Sequence, residues 1–211
     1  MPTKCFFVTQ TDRYVISLRR YKNSSSINEC PAHGYHNADG PVLTEVTGTY
    51  NKAEDAWEDP TKGLDVRHDD PRWPVKCDHC DYLFTEQDEY QLFADHVYLD
   101  AQGKERSLYE NVEGMMWYAD WYGDYDKGPD GHSLVVVCPG GHQWVIDSQA
   151  SNCDQKQDVG PYGVAHRCWN RTGEPPNITV GKGPGKTCGA GGGSIQTPNY
   201  HGFLQNGEFN P

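Results

Sequence analysis

Cys77-Asp78-His79-Cys80 is the stretch that decides how this chain is read. A C-x2-C knuckle lets two thiolates grip one Zn²⁺ from a single tight turn, about 2.3 Å from the metal. Two more donors must come from elsewhere. Upstream, Cys5 lies on an expected first strand, and Cys30-Pro31-Ala32-His33-Gly34-Tyr35-His36 offers Cys30, His33 and His36. Cys5, Cys30 and His36 therefore join Cys77 and Cys80 as the first candidate set. His96 competes as a finger-like donor, although a histidine at a helix end commonly just satisfies carbonyls and the helix dipole.

A second constellation follows downstream, built from Cys153, His166, Cys168 and Cys188. His166 and Cys168 are two apart, so on a strand they face the same way. With Cys153 and Cys188 they form a Cys3His set of the kind structural zinc takes, leaving no position for water. Two other readings stand beside it. The cysteines could be buried thiols acting as small hydrophobes. Alternatively, Cys168 could be a nucleophile with His166 as its base, an arrangement for which no orienting acid is evident.

Composition says why metal matters here. Hydrophobic residues make up 36% of the 211, below the usual apolar share of about 45–50%, a convention that also counts glycine. A mean hydropathy of -0.81 agrees. Yet the 6 Trp, 13 Tyr and 6 Phe can each bury a large area, so the composition is not that of a disordered chain. Gly 23 and Pro 14 imply many turns and short strands. The formal charge of -12 disfavours a general phosphate-binding surface and makes nucleic acid a poor partner. A local basic patch at Arg13, Arg19, Arg20 and Lys22 reads as a solvated strand edge.

The 8 cysteines could make disulfides in a secreted protein. Met1-Pro2-Thr3-Lys4 starts no signal peptide, however, and no run reaches the roughly 18 apolar residues of a membrane helix. The expectation is thiolate-bound metal in a reducing host cytoplasm, without glycans at Asn23, Asn170 or Asn177.

Strands are expected at Cys5 to Val8 and Tyr14 to Tyr21, where Tyr14, Ile16 and Leu18 alternate with polar or small neighbours. Residues 23–40 read as a loop, and 51–74 as a long acidic connection. Thr85-Glu86-Gln87-Asp88 resembles a capping box, and Leu92, Phe93, His96 and Val97 follow at helical spacing, which predicts one main helix to about Val97. Beyond it the chain is mostly β. Leu134–Cys138 and His142–Ile146 flank Pro139-Gly140-Gly141 as a hairpin. Short strands are expected at Asn177–Val180 and Ser194–Gln196. Gly202–Gln205 and Glu208-Phe209 flank Asn206-Gly207, the strongest short hairpin signal. The expected fold is α+β and β-rich, with short strands and hairpins, one main helix and one or two zinc-ribbon-like sites. Its N-terminal half (1–130) carries the knuckle and helix. Its C-terminal β half (131–211) packs on the same core.

Other motifs fail. In Gly181 to Thr187 the first glycine of a phosphate loop is replaced by Val180. Asp124, Asp126 and Asp130 lack the glycine and glutamate of an EF-hand. Met115 to Tyr122 concentrates aromatics among acids and reads first as core.

Several elements together carry a resemblance. They are Gly34-Tyr35-His36-Asn37-Ala38, Trp73-Pro74 with the knuckle, Gly114 to Trp117, Ser151-Asn152-Cys153, His166-Arg167-Cys168-Trp169, Gly173 to Val180, Ala190 to Ile195, and His201 to Leu204. They resemble an uncharacterised family of bacteriophage and actinobacterial proteins over most of the chain. That resemblance supplies a setting and no mechanism. Together with thiolate-rich ligation and no clear open site, it leads to the expectation of a non-enzymatic, zinc-stabilised structural or protein-interaction protein, a phage virion component or accessory factor whose partners are other proteins, including a virion assembly, and not a membrane. The alternative is a metal-dependent hydrolase or nuclease with an open site drawn from His33, His36, His68 or His79 beside Asp69 and Asp70.

Overall fold

The structure, a computed structural model, describes residues 2–22, 29–32, 34–51, 56–122, 127–150, 153, 168–182 and 193–211. Its strands in chain order are β1 (Thr3–Lys4), β2 (Phe6–Tyr21), β3 (Asn37–Thr47), β4 (Tyr50–Asn51), β5 (Ala56–Trp57), β6 (Glu89–Asp100), β7 (Glu105–Arg106) and β8 (Met115–Tyr118). These are followed by β9 (Leu134–Val137), β10 (Gln143–Val145), β11 (Trp169–Thr172), β12 (Thr179–Lys182), β13 (Ile195–Thr197), β14 (Tyr200–Gln205) and β15 (Glu208–Asn210). Contacts divide the chain into two units, Thr11–Val97 and Met1–Gln10 with Tyr98–Pro211. The halves expected from sequence, 1–130 and 131–211, part the chain at a different point.

In the Thr11–Val97 unit, β2 shows the expected alternation: Tyr14, Ile16 and Leu18 are buried. Arg20 continues the inward series and is also buried. Its charge is accommodated because the guanidinium donates to the Thr85 and Pro74 carbonyls and lies 4.2 Å from the Tyr90 ring centroid. β3 pairs antiparallel with β2 from Arg13↔Thr47 to Tyr21↔Asn37, with register shifts on either side of Ser17. Asn37 to Gly40, expected in a loop, thus belong to a strand.

The main helix does not form. Strands make up 47% of the described residues, and none of these residues belongs to a helix of seven residues or more. The segment expected to be helical is β6, a hydrogen-bonded neighbour of β2. Its Tyr90, Phe93, Val97 and Tyr98 are aromatic or β-branched, and such residues fit a pleated surface better than a helix. The capping-box contacts do exist but close a turn. The Asp88 carboxylate accepts from the Thr85 amide (2.6 Å), the Thr85 hydroxyl (3.1 Å) and the Tyr82 hydroxyl (3.1 Å). The chain then extends. Local cap chemistry is shared by helices and turns, and the pairing offered by β2 decides between them.

The other unit is built on β8 and β9, which pair antiparallel from Met116↔Val136 to Tyr118↔Leu134. Both faces of this pair are covered. Met116, Leu134 and Val136 pack with Ile178, Val180, Leu204 and Phe209, while Met115, Trp117, Val135 and Val137 pack with Val8 and Tyr98. Double coverage is why these strands read as unbroken apolar runs instead of alternating. The β9–β10 hairpin turns at Gly140 and Gly141, both at positive φ, as expected. So does β14–β15, where Asn206 (φ 48) and Gly207 (φ 73) adopt the left-handed pair that a tight hairpin needs. β1 extends that hairpin through Thr3↔Phe209, and β13 lies on its other side.

Candidate metal centre

Two tight turns in the Thr11–Val97 unit build the site. In the first, the Gly34 amide donates to the Cys30 carbonyl (2.8 Å) and the Glu29 amide to the Gly34 carbonyl (3.0 Å), with Gly34 at φ 87. His36 follows at once, and its carbonyl accepts from the Lys22 amide (3.0 Å) as β3 begins. In the second, the Cys77 amide donates to the Tyr82 carbonyl (2.9 Å) and the Phe84 amide to the Val75 carbonyl (3.0 Å), so the knuckle is the tip of a small hairpin. The turns are tied together. The Asp78 amide donates to the Asn37 carbonyl (3.0 Å), and the Asp78 carboxylate accepts from the Asp39 amide (2.9 Å).

This brings together one donor atom each from Cys30, His36, Cys77 and Cys80, all within 4.8 Å of one another. A tetrahedral zinc with Zn–S bonds of about 2.3 Å sets its donors roughly 3.5–3.8 Å apart. The Cys80 Sγ to His36 Nδ1 distance is 3.3 Å. Cys30, His36 and Cys77 are buried. The His36 ring stacks on Tyr82 with centroids 4.1 Å apart and planes 13° apart, which fixes its orientation. Among the described residues no carboxylate belongs to the cluster, so the donor set is that of a closed site.

The electrostatics favour a thiolate at Cys77. Burial pushes the Cys77 thiol up, but the His79 amide, His36, the Asn37 amide and Cys80 together outweigh it and bring the thiol down to about 6. The His79 amide lies 3.5 Å from Cys77 Sγ. At Cys80 the Tyr82 amide pulls the thiol down, while burial and the neighbouring Cys30 and Cys77 thiols prevail and hold it above its ordinary value. Like charge among adjacent sulfurs opposes ionisation of the whole set, and a cation among them relieves it. The cluster can therefore hold a metal ion, and its donors are consistent with zinc.

Four expected residues meet there, and among the described residues no other candidate joins them. Cys5 is a correction: it packs beside the core of the other unit, and burial, with Glu208, pushes its thiol up to about 12. Cys138, which the sequence does not single out, is buried in that core and is likewise pushed up to about 12. Cys168 is also part of that core, with Cys153 packed against it, and the Ala150 amide lies 3.2 Å from Cys168 Sγ. His33, His166 and Cys188 fall outside the described residues. His96 lies on β6 against Tyr14, centroids 3.9 Å apart, and is not one of the clustered donors. His68 stacks on Tyr90 (4.3 Å), and Asp69 and Asp70 pair with Arg67 and Arg72 at 2.8 Å. The basic residues are matched too: Arg13 with Glu45, Arg19 with Asp39 and Lys22 with Glu29.

Sequence reasoning missed a buried ion network in the other unit. Arg171 lies between Asp147 (2.9 Å) and Asp130 (2.5 Å), with Arg171 and Asp147 side chains almost fully buried. The available signal was the alternation of Trp169 and Arg171 on β11, which points both inward.

No protein-family model matches this chain, and no similar curated protein or solved structure was found. Among the described residues no helix is long and apolar enough to cross a membrane.

Proposed function

We propose that the chain is a non-enzymatic structural or protein-interaction protein whose Thr11–Val97 unit is held by one zinc ion on Cys30, His36, Cys77 and Cys80. The carrying observation is the donor set: three thiols and an imidazole within 4.8 Å, with no carboxylate among the described residues. Such a site leaves no open position for a water or substrate, so its contribution is folding free energy. The likeness of its sequence motifs to bacteriophage and actinobacterial proteins supports a role as a virion component or accessory factor. The hydrolase reading draws less support, since Asp69 and Asp70 are engaged by arginines and His68 by Tyr90. The test is elemental analysis and native mass spectrometry of purified protein, joined to sedimentation with assembled particles. One zinc per chain and cosedimentation support the proposal. A stable metal-free protein removes the zinc, and a protein that never cosediments removes the virion role.

A further inference from the structure

Met115 to Tyr122 divides its aromatics between two fates. Met115, Met116, Trp117 and Ala119 are buried in the core, but Trp121 and Tyr122 are 58% and 45% exposed. Core packing explains the first group only. The parallel pairing of β2 with β8 is confined to Phe6↔Met115 and Phe7↔Met116. Past β8 the chain turns, the Tyr122 amide donating to the Ala119 carbonyl (3.1 Å). A cavity of about 250 Å³ opens between the diverging segments, lined chiefly by Phe7, Tyr98, Tyr118 and Trp121, with Asp120 and Gln10.

We propose that this cavity is an aromatic cage for an organic cation of the quaternary ammonium type. Four aromatic side chains and a carboxylate line one small space, with Phe7 and Tyr118 packed edge to face at 5.0 Å between centroids. Ring faces carry negative quadrupole potential, and a methylated ammonium is the cation that sheds water most easily to lie against them. Among the described residues no lysine or arginine lines the cavity, and the chain carries a net charge of -12, which favours a cation. Asp120 is held in place: its carboxylate lies 2.9 Å from His132 Nδ1 and accepts from the Ser133 amide (3.4 Å). The His132 ring in turn stacks on Tyr118, centroids 4.4 Å apart. The carboxylate is thereby fixed beside an aromatic wall before any ligand arrives. The Tyr98 hydroxyl donates to Gln10 Oε1 (3.3 Å), which orients the polar side of the cavity. A trimethylammonium group could be presented by a choline headgroup or by a trimethylated lysine, and the chemistry at the rings is the same.

Calorimetric titration of the full chain with choline tests this, against the uncharged analogue in which carbon replaces nitrogen. Saturable choline binding, with the analogue at least about fivefold weaker, is the expected result, because the two differ only in charge. Trp121→Ala should weaken choline binding at least about fivefold, and Asp120→Asn should do so while preserving shape. Trp121 is largely exposed, so its removal leaves folding intact, which circular dichroism verifies. Phosphocholine and trimethyllysine titrated in parallel identify the source by the tighter of the two. Absence of binding by all three cations overturns the proposal. So does equal binding of the uncharged analogue, indifference to Trp121→Ala, or preferential binding of neutral hexoses.

Discussion

His36 Nδ1 lies 3.3 Å from Cys80 Sγ, although the two residues are 44 positions apart in the chain. That contact joins a turn before β3 to the tip of the knuckle hairpin. With Cys30 and Cys77 it makes a donor cage that only the folded Thr11–Val97 unit can assemble. Metal affinity and folding are therefore one equilibrium in this unit.

Removing a donor should unfold this unit. Cys80→Ser is expected to lose bound zinc and to cost more than about 4 kcal/mol, the range that marks loss of a metal. Melting should drop by roughly 10 °C on the scale expected for a chain of this size. Calorimetry with metal analysis checks it, with Cys5→Ala as the control that keeps full zinc. Retained zinc in Cys80→Ser would remove that residue from the centre.

Asp78 is not one of the four donors but ties the knuckle to β3 through the Asp39 amide. Asp78→Ala should leave one zinc bound yet weaken its affinity by about tenfold, as outer partners of metal ligands do. Competition with a chromogenic chelator measures it. Unchanged affinity would show that the tie is irrelevant to the site.

In the metal-stripped protein, the Cys77 thiol stands at about 6 against an ordinary value of 9.0. Between those values the folded state has released a proton that the unfolded state keeps, so stability rises with pH. The contribution is complete above about 9 and is lost as pH falls through about 6. Denaturation of the stripped protein across this window should show the slope, and Cys77→Ser should flatten it. An unchanged slope in that variant would assign the effect elsewhere.

Arg171 neutralises Asp147 where neither side chain reaches solvent appreciably. Arg171→Leu should cost about 3–5 kcal/mol, because a buried carboxylate is left without its partner. At Asp130, burial pushes the carboxyl up but Arg171 prevails and holds it below its ordinary value. That stability is present above the ordinary value of 3.8 and lost as pH falls through the lowered one. Urea unfolding near neutral pH measures the loss, and a cost below about 1 kcal/mol would contradict the assigned role.

Gly207 separates two costs of a side chain. A Cβ there would stand 2.5 Å from the Pro176 carbonyl oxygen at φ 73, whereas at Gly103, φ 75, it would meet nothing within 4 Å. Gly103→Ala should cost about 1–2 kcal/mol from backbone strain alone. Gly207→Ala should cost clearly more, since backbone must also move. Equal losses in chemical denaturation would show that the close approach yields freely.

Much of this was legible in residue order. The knuckle turn, the Asn206-Gly207 hairpin, the hairpin at Gly140-Gly141 and the inward face of Tyr14, Ile16 and Leu18 all rest on contacts between near neighbours, so local spacing carries them. The stretch from Thr85 to Val97 was misleading because its cap serves a turn as well as a helix. Leu92, Phe93, His96 and Val97 match helical spacing on a strand whose neighbour, β2, lies far away in sequence.

What the chain determined by itself is that a thiolate pair would sit on one turn, that hairpins would dominate, and that a charge of -12 would disfavour a broad basic face. Which residues complete the cage was decided only in three dimensions. Cys5 and Cys30 are both thiols upstream of the knuckle, and composition cannot choose between them. The choice falls to Cys30 and His36 because the antiparallel register of β2 and β3 places Asn37 opposite Tyr21, and the Asp78 amide fastens to that strand end. Cys5 precedes β2 in the other unit, where burial keeps its thiol protonated. Donor identity is a matter of chemistry written in the sequence. Donor proximity is a matter of strand register, which depends on pairings between distant residues.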